Sequence, residues 1–356
     1  MRCVIWRALG LGMLALLLAA GVAGAAVPEG PRLAVIKAAA EPPRLELLTL
    51  NQSGGDPLRL AGGGWRSRPL PDFFSPISWS ADGEEVAFSG IVGVQKGDDH
   101  EPIRRIFTVR VDGSDLGAIR GTNGATGPVF SPDGHTVAFT RSLDRETPTT
   151  VGGKRKKYGF HGASIWTVDL LTGAQRQLTP WQDGLTYTAS SFSPDGSTLL
   201  ATHEDPLFLN EPEPVALALD GSGSRRLLDD GSSPVYSPDG SRIALIRRTV
   251  EYSKYGEEED DDLYVIDADG SDVRRLTHTP GRLELSPSWD PSGERLVYTR
   301  LPGARSENAP FGFRNTLMQV NADGTCQTKV VSAKSTFFFA PTWQPGPGRG
   351  AGRIEC

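Results

Sequence analysis

Two charged stretches and a pair of cysteines are the residues whose types and spacing suggest chemistry. Lys154, Arg155, Lys156 and Lys157 stand together, with Tyr158 and Phe160 close behind; Glu257 to Asp262 reads EEEDDD. A basic run beside aromatic rings suits an anionic polymer or an acidic protein surface, which long-range attraction would steer towards it. The acidic run offers the hard oxygens that calcium takes. Neighbouring carboxylates do not converge by spacing alone, so no cofactor is expected, and calcium is the one ion the run would suit. His100, His135, His161, His203 and His278 lack the close spacing of zinc ligands. No Gly-x-Ser-x-Gly elbow occurs, which argues against a serine hydrolase.

The elements that must position these residues repeat. FSPDGHTVAFT from Phe130 returns as FSPDGSTLLAT from Phe192, YSPDGSRIALI from Tyr236 and WDPSGERLVYT from Trp289. WSADGEEVAFS from Trp79 opens the series and TWQPG around Trp343 ends it. Successive aromatic anchors lie 51, 62, 44, 53 and 54 residues apart, the period of a four-stranded propeller blade with insertions. In each repeat an aromatic-ended strand reaches a Ser-Pro-Asp-Gly turn, where Pro presets the backbone and Gly accepts the left-handed conformation. A short apolar strand follows, then a third ending in Asp-Gly, then a more polar fourth.

Five repeats are complete and the sixth is split. FFFAPTW near the C-terminus supplies a first strand, and RLAVI, RLELLTL and PLRLA near the N-terminus supply the other three. The expected fold is therefore all-β, a six-bladed β-propeller whose sixth blade is closed by N- and C-terminal strands. Closure removes the exposed edge between the first and last blades.

The strand pair W/F-S-P-D-G-x-x-[IVL]-A-[FL], followed by [IL]-[YWF]-V-x-D-x-D-G-x-x-x-R-x-L-T, resembles the TolB-type, WD40-like propeller repeat. The resemblance covers nearly all of residues 26–356 and implies a standalone propeller without the α/β domain that precedes the ring in TolB. It implies a binding scaffold of the cell envelope, with an envelope or secreted protein, a peptide or an anionic envelope polymer as partner. A fold of this kind serves many functions. The alternative is a propeller hydrolase or lyase, lactonase-like and metal-dependent, with its site at the central channel.

The insertions fall between second and third strands: Ser89 to Arg105, Arg141 to Ala163, Arg247 to Asp262 and Arg300 to Asn315. They are expected to form loops converging on one face, where rigidly held loops usually bind. Arg141 to Ala163 carries six basic and two acidic residues; Arg247 to Asp262 carries three basic and seven acidic ones, a run expected to be solvated or loosely paired. Trp181 and Tyr187, on the link between the second and third blades, complete the candidate ligand-binding set.

Residues 1–25 read as a signal peptide: Arg2 and Arg7, an apolar stretch from Leu9 to Ala20, then Ala23-Gly24-Ala25. The mature chain is expected to be a periplasmic or extracellular monomer without membrane insertion. Removing Arg2 and Arg7 leaves 35 basic residues against 43 acidic ones, a formal balance of −8 that argues against nucleic-acid binding. Export permits a disulfide between Cys326 and Cys356.

Overall fold

In the computed structural model the described residues are 30–39, 43–64, 69–72, 75–94, 102–151, 154–181, 185–204, 211–253, 256–302, 315–332, 336–346 and 352–356. Over 143–161 and 250–259 the backbone alone is described. Residues 1–25, read above as a signal peptide, lie outside these residues. Every regular element among them is a β-strand.

The strands pair into antiparallel units of four. The second unit shows the pattern: Ala125–Phe130, Thr136–Val151, Lys154–Asp169 and Gln175–Gln177, each bonded to the next. The third unit runs through Thr186–Phe192, Thr198–Glu204, Glu213–Ala218 and Ser224–Arg226. Comparable units start at Ser232–Tyr236 and Arg282–Trp289. In the first unit the opening strand is broken into Leu70–Pro71 and Ser78–Trp79, both paired with Glu85–Val94. The remaining sheet joins the chain's two ends in the order Thr336–Trp343, Arg32–Ala39, Arg44–Asn51, Leu58–Gly64, as the split repeat requires.

The Ser-Pro-Asp-Gly sequence makes its turn by a small hydrogen-bond network. In the third unit the Ser193 hydroxyl donates to Asp195 Oδ1 at 2.6 Å and accepts the Thr198 amide at 2.9 Å. Gly196 follows at φ 71°, a conformation that costs a residue without Cβ little. Ser80, Ser131 and Ser237 repeat the arrangement with Asp82, Asp133 and Asp239. The Thr of the Leu-Thr ending is fixed in a similar way. Thr179 Oγ1 accepts the Ile165 amide at 2.9 Å, and Thr277 accepts that of Leu263 at 2.9 Å.

The buried apolar side chains do not form one central core. Among the described residues most fall into six clusters, each shared by two neighbouring units. One contains Ile36 and Leu47 of the split unit with Val86, Phe88 and Phe107 of the first, so the last and first units are packed together like any other pair. Each fully buried Leu, Ile or Phe contributes about 1.5–3 kcal/mol, which makes these seams the main source of stability.

The first-to-last seam is also hydrogen-bonded: Trp79 Nε1 donates to the Thr342 carbonyl at 3.0 Å and Gln344 Nε2 to the Gly83 carbonyl at 2.8 Å. Cys326 and Cys356, 30 residues apart, form a disulfide that fastens the C-terminal tail to the fifth unit. Ile354 adds backbone bonds to the Asn321 side chain at 2.8 and 3.0 Å.

The insertions correct one expectation. Arg141 to Ala163 and Arg247 to Asp262 are chiefly extensions of antiparallel hairpins, with pairing running out to Val151↔Lys154 and Ser253↔Gly256. Once a hairpin has started, each added residue pair completes its own backbone bonds, so the insertion prolongs the ladder instead of leaving it.

Candidate functional site

The first strands of the described units surround a cavity of about 640 Å³. Its wall carries the aromatic anchors Trp79, Phe130, Phe192, Tyr236, Trp289 and Trp343, interleaved with prolines, serines and threonines. The strands are held in place around it by two repeated hydroxyl contacts.

At the anchor, Ser78 accepts the Phe130 amide at 3.1 Å, Ser191 that of Tyr236 at 3.3 Å and Ser288 that of Trp343 at 3.3 Å. Deeper in the seam, the residue closing the second-strand core accepts an amide from the next unit's first strand. Ser89 accepts from Gly127 at 3.1 Å, Thr140 from Ala189 at 3.1 Å and Thr202 from Ser233 at 3.0 Å. Those three amides stand three residues before Phe130, Phe192 and Tyr236. Gly127 and Ser233, like Ser286 and Ala340 before Trp289 and Trp343, have φ between 48° and 60°. These positions coincide with register shifts that bend the first strands.

The fourth unit has Ile246 where Thr140 and Thr202 stand, and at its seam with the fifth the Leu263 amide and the Thr277 hydroxyl donate to Glu284 instead, within a network of buried charges. Asp262, fully buried, pairs with Arg275 at 2.5 Å; Glu284, also fully buried, pairs with Arg300 at 2.6 Å. Thr277 bridges the two carboxylates, and Arg300 reaches the Tyr298 hydroxyl at 2.8 Å. Burial pushes the Glu284 carboxyl up, opposed by the Thr277 hydrogen bond and the Arg300 charge. Burial also pushes the Tyr298 phenol up. Asp260 is likewise buried and accepts the Gly281 amide. This corrects the expectation of a solvated acidic run: its last residues enter a seam, because strand alternation turns Asp260 and Asp262 inward. Among the described residues no group of three potential metal ligands converges.

Lys154, Arg155, Lys156, Lys157, Tyr158 and Phe160 lie along the outer part of the long second-unit hairpin, and their side chains are outside the described residues. Trp181 is half-buried on the link to the third unit, and neither it nor Tyr187 lines the cavity. Tyr187 stacks on His203, with ring centroids 4.6 Å apart, and His203 Nδ1 lies 3.5 Å from Glu213. Burial, then the Glu213 charge, push the Tyr187 phenol up. The rings that do line the cavity are the repeat anchors. Their recurrence was the available signal, since a residue repeated at the end of every first strand must recur around the axis.

Glu204 closes the second strand of the third unit, paired in register with Thr186, and its side chain faces the cavity. It is the one lining residue, among those described, that is charged at neutral pH. Desolvation pushes its carboxyl up, with His203 opposing.

Four-stranded antiparallel units packed seam to seam around a cavity define a β-propeller. The particular likeness is to TolB: the chain matches TolB of Acinetobacter baumannii with a TM-score of 0.65 at 21% identity, over 90% of this chain and 68% of that one. A protein of Agrobacterium tumefaciens described as a TolB candidate matches with a TM-score of 0.56 at 17% identity, over 89% and 100%. Hydrazine synthase of Kuenenia stuttgartiensis matches with a TM-score of 0.58 at 13% identity, over 92% of this chain and 48% of that one. No family model and no curated protein matches the sequence. At these identities the likeness is one of fold.

Proposed function

We propose that the chain is a six-bladed propeller that binds a protein, a peptide or an anionic envelope polymer without transforming it. The working surface is the face around the cavity mouth where the long hairpins emerge. The observation that carries this reading is the cavity itself: about 640 Å³, walled by aromatic and proline rings on six seam-locked strands. Such a wall is ordered before a ligand arrives, so association loses little conformational freedom. The hydroxyls of Ser78, Ser191 and Ser288 are committed to holding strands, which favours recognition over nucleophilic chemistry.

The protein acts as a monomer exported to the periplasm or beyond. Lys154, Arg155, Lys156 and Lys157 on the second-unit hairpin attract acidic partners, with Tyr158 and Phe160 supplying contact area, and calcium is not required. The test is an affinity pull-down from an envelope extract, with the mature chain beside a variant carrying alanine at 154–157. Recovery of one protein or polymer by the native chain, weakened in the variant, supports the reading. Equal recovery by both removes the basic hairpin from it, and no recovery by either overturns it.

A further inference from the structure

Glu204 has no evident duty in the architecture. The equivalent positions of the other units, two residues beyond the seam hydroxyl, are Ile91, Ser142, Arg248, Leu301 and Ala38, so the repeat does not demand an acid there. Neighbouring charges find partners: Arg247 pairs with Asp230 at 2.6 Å, and His203 lies 3.5 Å from Glu213. The Glu204 carboxylate makes no hydrogen bond or ion pair among the described residues. A carboxylate kept partly out of water without a partner is unfavourable, and such groups call for an explanation. Desolvation already opposes its charge.

We infer that Glu204 marks a subsite for a primary ammonium or guanidinium group entering the cavity from the hairpin face. A cation there would supply a partner that the described residues do not, beside a wall whose other described residues are neutral, where charge-assisted bonds are stronger than in water. The aliphatic stem of such a group would lie against the proline and aromatic rings, as long cationic side chains do. The neutral remainder of the wall accommodates an extended peptide, so the cation is a lysine or arginine side chain within one. This rests on the binding reading and names the chemistry of its central subsite.

The experiment titrates the mature protein with acetyl-Ser-Gly-Lys-Gly-Ser-amide, the same peptide with norleucine for lysine, and 1,5-diaminopentane, by calorimetry and ligand-observed NMR. Glu204→Gln is the variant, with its melting curve as the check on folding. The lysine peptide is expected to bind the native protein and to weaken about ten- to hundredfold in Glu204→Gln, by loss of one charge-assisted contact. The norleucine peptide should bind both proteins equally weakly. Diaminopentane binding as tightly as the lysine peptide, with the same dependence on Glu204, keeps the cation subsite and assigns it to free amines.

Equal binding of lysine and norleucine peptides, an unaffected Glu204→Gln, or no binding up to about 10 mM overturns the inference. A partner recovered in the pull-down together with an unaffected Glu204→Gln would sink the subsite and leave the scaffold standing. An empty pull-down with Glu204-dependent peptide binding would do the reverse.

Discussion

Thr202→Val tests the seam hydroxyls with almost no change of shape. Thr202 is 4% exposed, and its Oγ1 accepts the Ser233 amide across the seam at 3.0 Å. Valine keeps the branched volume and removes the acceptor. Ser233 has a φ of 53° at a strand irregularity, so its amide cannot swing to another partner without undoing the bend. Ser233 is half-buried at the cavity wall, and an amide left unpaired out of water costs about 1–3 kcal/mol. With an unfolding entropy of about 2.1 cal/mol/K per residue, about 320 residues give roughly 0.7 kcal/mol per degree, so the melting temperature should fall by about 1.5–4 °C.

The site-specific readout is hydrogen exchange at Ser233, whose protection should drop by about an order of magnitude or more. Thr140→Val, one seam away, should do the same to Ala189, and the two losses should add, as they do for separate sites. A Thr202→Val protein that melted with the native chain and kept Ser233 protected would refute the claim that these hydroxyls hold the seams.

Replacing Cys326 and Cys356 by serine opens a loop of 30 residues. The chain-entropy relation gives a loss of about 3.6 kcal/mol, seen as a melting point lowered by about 5 °C, with two thiols titratable only after reduction of the native protein. Removing residues 30–60 takes Leu33, Val35, Ile36 and Leu47, all fully buried, out of two seams; cooperative unfolding should be lost, and a chain starting near Gly64 that melted like the full one would contradict closure by the split unit. The turn carboxylates should govern acid stability. Asp195 is lowered to about 2 by the Ser193 hydroxyl and then by the amide and hydroxyl of Ser197. Asp82, Asp133 and Asp239 are lowered too, each chiefly by its own serine. A depressed carboxylate stabilises the fold above its unfolded pKa of about 3.9, and that stability is lost as pH falls towards 2. Asp195→Asn should flatten the stability profile between these values, which urea titration at successive pH values would measure.

The repeat was legible because its turns are local. Ser193, Pro194, Asp195 and Gly196 complete their hydrogen bonds within six residues, and any sequence that makes such a turn must show it. The split unit was legible for the same reason, one missing first strand and three unassigned ones being complementary. What binds neighbouring units was not. Thr140 and Thr202 read as ordinary strand residues, because their partners lie 49 and 31 residues away. The run Glu257 to Asp262 read as a solvated loop, because nothing in six consecutive acids tells which alternate ones meet Arg275 or Gly281. Glu204 is one of 43 acids in the sequence, and its standing alone is a property of the cavity wall, not of the chain.

The break in the split unit falls where every other unit has its turn. Asp290 donates its amide to the Arg295 carbonyl across the fifth turn at 3.0 Å, and Gln344 donates to the Arg32 carbonyl at 2.9 Å in the same geometry. Arg295 lies over the Trp343 ring at 4.9 Å, as Arg242 lies over Trp289 at 4.7 Å. The two ends thus meet as a hairpin whose tip has been cut. Four residues such as Pro-Asp-Gly-Ser, placed between Gln344 and Arg32, would restore it, and the chain could then be opened at the turn of any other unit. The point from which residues are numbered is then a convention: a sequence is read from one end, but here a strand from near its start and a strand from near its finish pair as neighbours in one sheet.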